Sequence, residues 1–332
     1  MTRIIMFTPT YVRSPGTQAR INLIMKSLKI SGFKTELVVS RESTLQRIYH
    51  KFGEELLVRK SVWNIMGYLI SRDILKYGPD AAILFLDVSA SAIPYLKREG
   101  IKTILSIEDL TPEYKNYREG TSEKFYQLLK KACEEVDAII CSGYTLAKRL
   151  KEIDLDAIPV PVGLEIYTRI EEAICRSSPP TIVHSGQLTL QRQIDIISEL
   201  ANKYTVMVHD FGILSGKLRN GRNIIKYRAK SPEEGARIVQ PAHIGLIIEY
   251  KKTYSLNRLY FHTSLLQPIV AEGNGPWVEE ARQLGVPLYR IESIEELFHN
   301  YEKYVKELSV IQRKLAIPFV HKPLLKLLES IL

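Results

Sequence analysis

The chain has 332 residues, of which 45% are hydrophobic and 25% charged, with a formal net charge of +9. That length suits two globular domains, and no apolar run reaches the roughly 18 residues of a membrane span. Three cysteines without C-x-x-C spacing and seven histidines without an H-x-x-x-H pair argue against a disulfide framework and a structural metal, and predict buried thiols in a reducing, cytoplasmic setting.

The N-terminus, MTRIIMFTPT, enters a strand pattern at once over 3–7, so no signal peptide is expected. A loop over 8–16 ends in Gly16, and a helical stretch over 17–31 carries Ile21, Ile24, Met25 and Leu28 on one face. Gly32 fits a C-cap, and 35–39 reads as the next strand. Residues 41–60 place Leu45, Ile48, Tyr49, Phe52 and Leu56 at helical spacing beside Arg47, Lys51, Arg59 and Lys60. Such a stretch reads either as a core-facing helix with a solvated basic side or as a helix that lies on an anionic membrane. Further strands are expected over 81–86, 103–107, 138–141 and 157–160, with helices over 122–135 and 144–153. Short apolar strands alternating with helices predict a parallel, doubly wound sheet.

The rhythm breaks over 159–180, which holds Pro159, Pro161, Gly163, Pro179 and Pro180 and reads as an interdomain region. It then restarts with strands over 181–184, 206–209, 224–227, 244–249, 269–271 and 286–289. Helices are expected over 191–203, 232–239 and 278–284, and a long one from Ser293, before a tail broken by Pro318 and Pro323. The expected architecture is therefore α/β, with two doubly wound Rossmann-like domains facing each other across a cleft. Residues 1–165 form the first, 166–310 the second, and 311–332 a helical tail packing on the first.

Three strand-to-helix loops are candidates for anion binding, against the plain readings of a turn glycine after a strand and of a solvated arginine at a helix start. The loop ending in Gly16 matches neither G-x-G-x-x-G nor a Walker loop, and it reads equally as an ordinary βα turn. His184-Ser185-Gly186-Gln187 follows a strand and precedes Arg192 at a helix start. Asn257-Arg258 opens a helix that ends at Gln267-Pro268. A helix start offers unpaired N–H groups, and arginine adds a forked full charge, a combination suited to a diphosphate. No zinc-finger, RGG or RRM-like motif is present, so nucleic acid is not an expected partner.

These motifs, in this order over nearly the whole chain, resemble the GT-B-fold glycosyltransferases of the retaining family 4. Pro161-Val162-Gly163-Leu164-Glu165 resembles that family's P-N-G-V-D turn. Gly186-Gln187-Leu188 with Arg192 resembles its G-R-L-x-x-x-K, with Gln187 in the arginine position and Arg192 in the lysine position. The family's E-x7-E motif falls on Thr253 and Phe261, so both carboxylates are missing. One branch, typified by bacterial protein glucosyltransferases and galactofuranosyl-type transferases, carries N/H-K, an aromatic-rich helix and G-L-P instead. Asn257-Arg258, Tyr260-Phe261 and Gln267-Pro268 resemble that version, with the proline ten residues after the cation. Ser106-Ile107-Glu108-Asp109-Leu110-Thr111-Pro112 resembles the family's H-D-x-x-P loop, with Glu108 in the histidine position.

The resemblance implies transfer of a sugar, with retention and without a metal, from a nucleotide-diphosphate sugar to a saccharide, lipid-linked or protein acceptor. A UDP-sugar is the expected co-substrate, and no separate cofactor is expected. Arg192, Arg258, Asp109 and Glu108 become the expected catalytic residues. Gly16, Gly186, Gln187, Tyr227, Asn257 and Ser255 become the expected nucleotide-binding residues. Asp109 reads equally as a turn cap, and Asp87 is a second carboxylate of the same kind. The expected location is cytoplasmic, and the membrane-binding alternative for 41–60 would put the chain on the inner membrane face. The rival readings are an inactive nucleotide-sugar-binding or partner-docking protein, favoured by Gln187, Thr253 and Phe261, and an epimerase on the same fold.

Overall fold

A computed structural model describes residues 2–9, 15–39, 58–114, 116–176, 179–218, 223–250, 252–254 and 257–332. The chain divides into two compact units. One comprises Met1–Val162, Lys252–Ser255 and Ile317–Leu332, and the other Gly163–Lys251 and Leu256–Ala316.

In the first unit six parallel strands follow the order β2-β1-β3-β4-β5-β6. They are β1 (Arg3–Thr8), β2 (Lys34–Val39), β3 (Ala81–Phe85), β4 (Lys102–Ile107), β5 (Ala138–Cys141) and β6 (Ile158–Pro159). All five residues of β3 are buried, which is why its sequence, AAILF, is a continuous apolar run. Alternate side chains feed opposite faces. Ile5, Phe7, Ala82 and Leu84 meet Trp63, Met66 and Ile70 of the helix Lys60–Leu75 and Phe125 of the helix Glu119–Cys133. Ile4, Met6, Ile83 and Phe85 meet Ile21, Ile24 and Leu28 of the helix Pro15–Ile30, and Leu324 and Leu328 of the helix Lys322–Ile331. Both faces of the sheet are thus covered, and the final helix fills part of one core.

The C-terminal segment is fixed by polar contacts as well. His321 is fully buried, with Nδ1 2.7 Å from Ser27 Oγ and Nε2 3.1 Å from the Val162 carbonyl. Burial holds its imidazole down to about 4, so it stays neutral. Nε2–H then donates to Val162, and Ser27 donates to Nδ1.

In the second unit six parallel strands follow the order β12-β11-β10-β7-β8-β9. They are β7 (Thr181–His184), β8 (Thr205–His209), β9 (Ile224–Tyr227), β10 (Ile244–Glu249), β11 (Ile269–Gly273) and β12 (Leu288–Tyr289). Ile182, Val206, Leu246 and Val270 pack with Ile194 and Ile197 of the helix Gln191–Leu200 on one face. Val183, Leu265, Ala236 and Val239 pack on the other.

Several expectations are adjusted. The strand over 81–86 stops at Phe85, because Leu86 takes a left-handed φ of 69° and turns the chain into a 3-10 turn, Asp87–Ala92. The long helix expected from Ser293 is divided at Asn300 into Ile294–His299 and Tyr301–Leu315. Buried thiols were expected, but only Cys141 is buried, while Cys133 is half-buried and Cys175 exposed. The basic stretch 41–60 lies outside the described residues except for 58–60. Among the described residues, no helix is long and apolar enough to cross a membrane.

Candidate functional site

In the second sheet β7 is flanked by β8 on one side and β10 on the other. The chain therefore leaves the carboxyl ends of β7 and β10 toward opposite sides of the sheet, the arrangement at which open α/β sheets bind ligands. His184 ends β7, and Ser185 and Gly186 follow it; Glu249 ends β10. The helix Asn257–Ser264 stands over this position. Arg258 and His262 are four residues apart, so they share one helix face.

Two glycines receive that face. A Cβ on Gly186 would overlap the Arg258 guanidinium and come within 3.1 Å of His184 Cε1. A Cβ on Gly245 would overlap the His262 ring. Arg258 Nη2 donates to Glu249 Oε2 at 2.6 Å, with side-chain exposures of only 16% and 13%. Burial draws the guanidinium below its usual value against the pull of Glu249, but an arginine remains charged. Its Nη1 is buried and has no hydrogen-bond partner. Asn257 Oδ1 is in the same condition, as are both ring nitrogens of the fully buried His184. Burial, with Arg258 adding, holds His184 far below the usual histidine value and therefore neutral. Buried polar groups without partners are rare in folded proteins and ask for an explanation. Of these groups Arg258 Nη1 is a cationic donor beside Gly186, which suits an anion.

The other expected residues of this unit are placed as follows. Arg192, in the first turn of the helix Gln191–Leu200, is largely exposed, with Nη2 3.7 Å from Glu272 Oε1. Tyr250 donates to the same carboxylate at 3.1 Å. Gln187 is exposed. Tyr227 is buried at the end of β9, its ring 5.2 Å from that of His209, which in turn lies 5.8 Å from Phe211. Burial raises the Tyr227 phenol. Ser255 lies outside the described residues, and Gly16 lies in the first turn of the helix Pro15–Ile30.

The expected carboxylates belong to the first unit, at the carboxyl ends of β3 and β4. Asp109 Oδ1 accepts from the Tyr254 N–H at 2.8 Å, and Thr253 Oγ1 donates to Oδ1 at 3.1 Å and lies 3.3 Å from Oδ2. Burial pushes this carboxyl up to about 7, with Glu108 and Asp87 adding to the shift and the bonds from Tyr254 and Thr253 opposing it. Tyr254 also donates from its hydroxyl to Glu113, which pairs with Arg149 at 2.7 Å. Glu108 is buried, and its carbonyl accepts from Ser142 at 2.8 Å. Asp87 accepts from Thr111 N–H at 2.7 Å and Thr111 Oγ1 at 2.6 Å, which caps the short helix Thr111–Tyr114. Asp109 and Asp87 are thus both engaged by backbone. No group of three potential metal ligands occurs among the described residues.

Sequence reasoning gave no role to Glu249 or His262, and it placed His184 and Gln267 only within motifs, with no function for their side chains. One signal was available: a glycine inside the apolar strand 244–249 marks a close approach by another group.

No family model and no curated protein sequence matches the chain. Solved structures do. HepE from Anabaena, in complex with UDP, superposes with a TM-score of 0.66 at 9% identity over 99% of this chain and 100% of that one. Sucrose-phosphate synthase from Thermosynechococcus elongatus gives 0.69 at 11% identity over 99% of both chains. The lipopolysaccharide outer core galactosyltransferase WaaB gives 0.60 at 13% identity over the whole of both. At these identities the likeness is one of fold, and the chain has the two-sheet α/β fold of the GT-B glycosyltransferases.

Proposed function

We propose that this chain is a glycosyltransferase that moves a sugar from a nucleotide-diphosphate sugar to an acceptor hydroxyl. The observation that carries the reading is the unpartnered, buried Nη1 of Arg258, held against Gly186 at the switch point of the second sheet. A diphosphate oxygen placed there would satisfy it. Glu249 aims the guanidinium, and the dry setting strengthens the charge it presents. The neighbouring structures add weight, since HepE was solved with UDP and with UDP-glucose.

In the reaction, the bond between the anomeric carbon and the diphosphate oxygen breaks and the acceptor oxygen bonds to that carbon. The acceptor proton leaves on the released phosphate, so no strong side-chain base is demanded. Arg258, with Arg192 nearer the surface, would meet the charge that grows on the leaving group without a metal. Retention at the anomeric carbon, a UDP-sugar donor and a saccharide, lipid-linked or protein acceptor complete the proposal. Asp109 would act as the anchor of residues 252–254 and leave acceptor binding to Glu108.

A thermal-shift series with UDP, GDP, ADP and their common sugars tests the donor site, and transfer or slow hydrolysis of the donor tests activity. A selective shift together with turnover that Arg258→Ala abolishes supports the enzyme. A shift without turnover in any acceptor mixture supports the nucleotide-sugar-binding protein. No shift with any nucleotide overturns both.

A further inference from the structure

We propose that Ser185 reads a hydroxyl of the bound nucleotide sugar. Its Oγ is locked as a proton donor to His262 and so meets the ligand only as an acceptor, and His262 and Gln267 are the positioning residues that keep it so. The proposal rests on the donor-site reading above and adds a recognition rule to it.

The chain of hydrogen bonds has one polarity. Gln267 Nε2 lies 3.0 Å from the Val239 carbonyl and 2.9 Å from the Ala242 carbonyl. Both oxygens can only accept, so the amide nitrogen must face them and Gln267 Oε1 must face the other way. That oxygen is 2.8 Å from His262 Nδ1, which must therefore carry the proton. Burial holds the His262 imidazole down to about 4, with Arg258 adding to the effect, so at neutral pH the ring has a single proton. Its Nε2 is left with a lone pair, 2.9 Å from Ser185 Oγ, and the serine proton is drawn to it.

The location gives this polarity a use. His262 and Gln267 are fully buried, whereas Ser185 is partly exposed. The relay thus runs from two backbone carbonyls outward and ends on a hydroxyl beside Gly186, the residue that Arg258 covers. The ring has no freedom to turn, because it is pressed onto Gly245. A serine oxygen whose proton is committed opposes a phosphate oxygen, since acceptor faces acceptor, and welcomes an O–H. Arg258 and Ser185 therefore divide the ligand between them, with the cation taking the diphosphate and the serine taking a hydroxyl that flanks it. That hydroxyl belongs to the ribose or to the transferred sugar.

Calorimetric titration of the full chain with pyrophosphate, UDP and UDP-glucose, with GDP and GDP-mannose alongside, separates these sources. Loss of one neutral hydrogen bond weakens binding about three- to ten-fold. Ser185→Ala is expected to leave pyrophosphate affinity unchanged. It should weaken UDP and UDP-glucose alike if the ribose is read, or UDP-glucose alone if the sugar is read, and Ser185→Thr should restore the loss. His262→Phe keeps the serine but removes its acceptor. The freed hydroxyl should then favour pyrophosphate and lose the hydroxyl-bearing ligands, a change of selectivity that simple loosening of the fold does not produce. If that variant does not fold, the serine pair carries the test. Equal weakening of pyrophosphate by Ser185→Ala, or no change with any ligand, overturns the proposal alone. Failure of the unaltered chain to bind any of these nucleotides overturns the donor-site reading and the proposal together.

Discussion

The Arg258 guanidinium has one terminal nitrogen engaged and one unengaged. Its Nη2 holds Glu249 at 2.6 Å, and its Nη1 is unpartnered. Arg258→Ala removes the buried, charge-assisted bond to Glu249, so it should lower stability by about 1.5–3 kcal/mol as well as abolish the proposed diphosphate binding. Urea unfolding measures the first and titration the second. Arg258→Lys keeps the charge beside Glu249 but loses the fork, so its stability loss should be smaller while affinity still falls. Asp109 gives a pH signature. Its folded value near 7 lies above its ordinary value of 3.8. Between those values the unfolded chain releases a proton that the folded chain keeps, so this group makes stability fall as pH rises through that window. Asp109→Asn should flatten that slope, and at pH 8 it should melt a few degrees above the unaltered protein. Melting curves at pH 4 to 8 check it, and a slope unchanged by the substitution would contradict the shift.

At the level of elements, the helix Asn257–Ser264 is fitted to its sheet by Gly186 and Gly245. The two should respond differently to a methyl group. At Gly186 the obstacles are the end of the Arg258 side chain and, at 3.1 Å, the His184 ring, so Gly186→Ala should lose the proposed diphosphate affinity as Arg258 is displaced, with a stability loss no larger than that of Arg258→Ala. At Gly245 the obstacle is a buried ring with both nitrogens bonded, so Gly245→Ala should cost about 1–3 kcal/mol in thermal or chemical unfolding. Most of the strands of both sheets were legible, because buried parallel strands such as 81–85 in the first and 244–249 in the second are nearly continuous apolar runs. The expected strand over 286–289 shrinks to Leu288–Tyr289, since Val286 is spent closing the preceding helix through a 2.8 Å bond to the Ala281 carbonyl. Arg258 could be read as a candidate cation from its place at a helix start. The relay behind it could not: Ser185 and His262 are 77 residues apart, and a buried histidine has no periodicity to betray it. Asp109 and Asp87 were visible as carboxylates after strands. Their engagement by Tyr254 and Thr111 depends on tertiary contacts that no local pattern encodes.

At the level of the whole molecule, each unit has its own hydrophobic cores around its own sheet. Calorimetry should resolve two transitions, and a nucleotide diphosphate should raise only that of the second unit, by about 2.7 kcal/mol at a hundred times its dissociation constant. A single transition that moves as one would show the two cores to be energetically fused. Removing Ile317–Leu332 takes Leu324, Leu328 and His321 from the first unit, and it should lower that unit's transition while leaving bound nucleotide in place.

The discontinuity of the first unit also sets the order in which it can be finished during synthesis. Tyr254 belongs to one of its cores and Leu328 to the other, so the sheet made by residue 159 stays partly uncovered while the second unit is being translated. At about 5–20 residues per second that interval is on the order of ten seconds. The second unit, whose sheet strands lie between residues 181 and 289, gathers its last strand earlier. In the growing chain the half that begins first is therefore the half that closes last, and for those seconds it carries exposed apolar surface for a chaperone to cover.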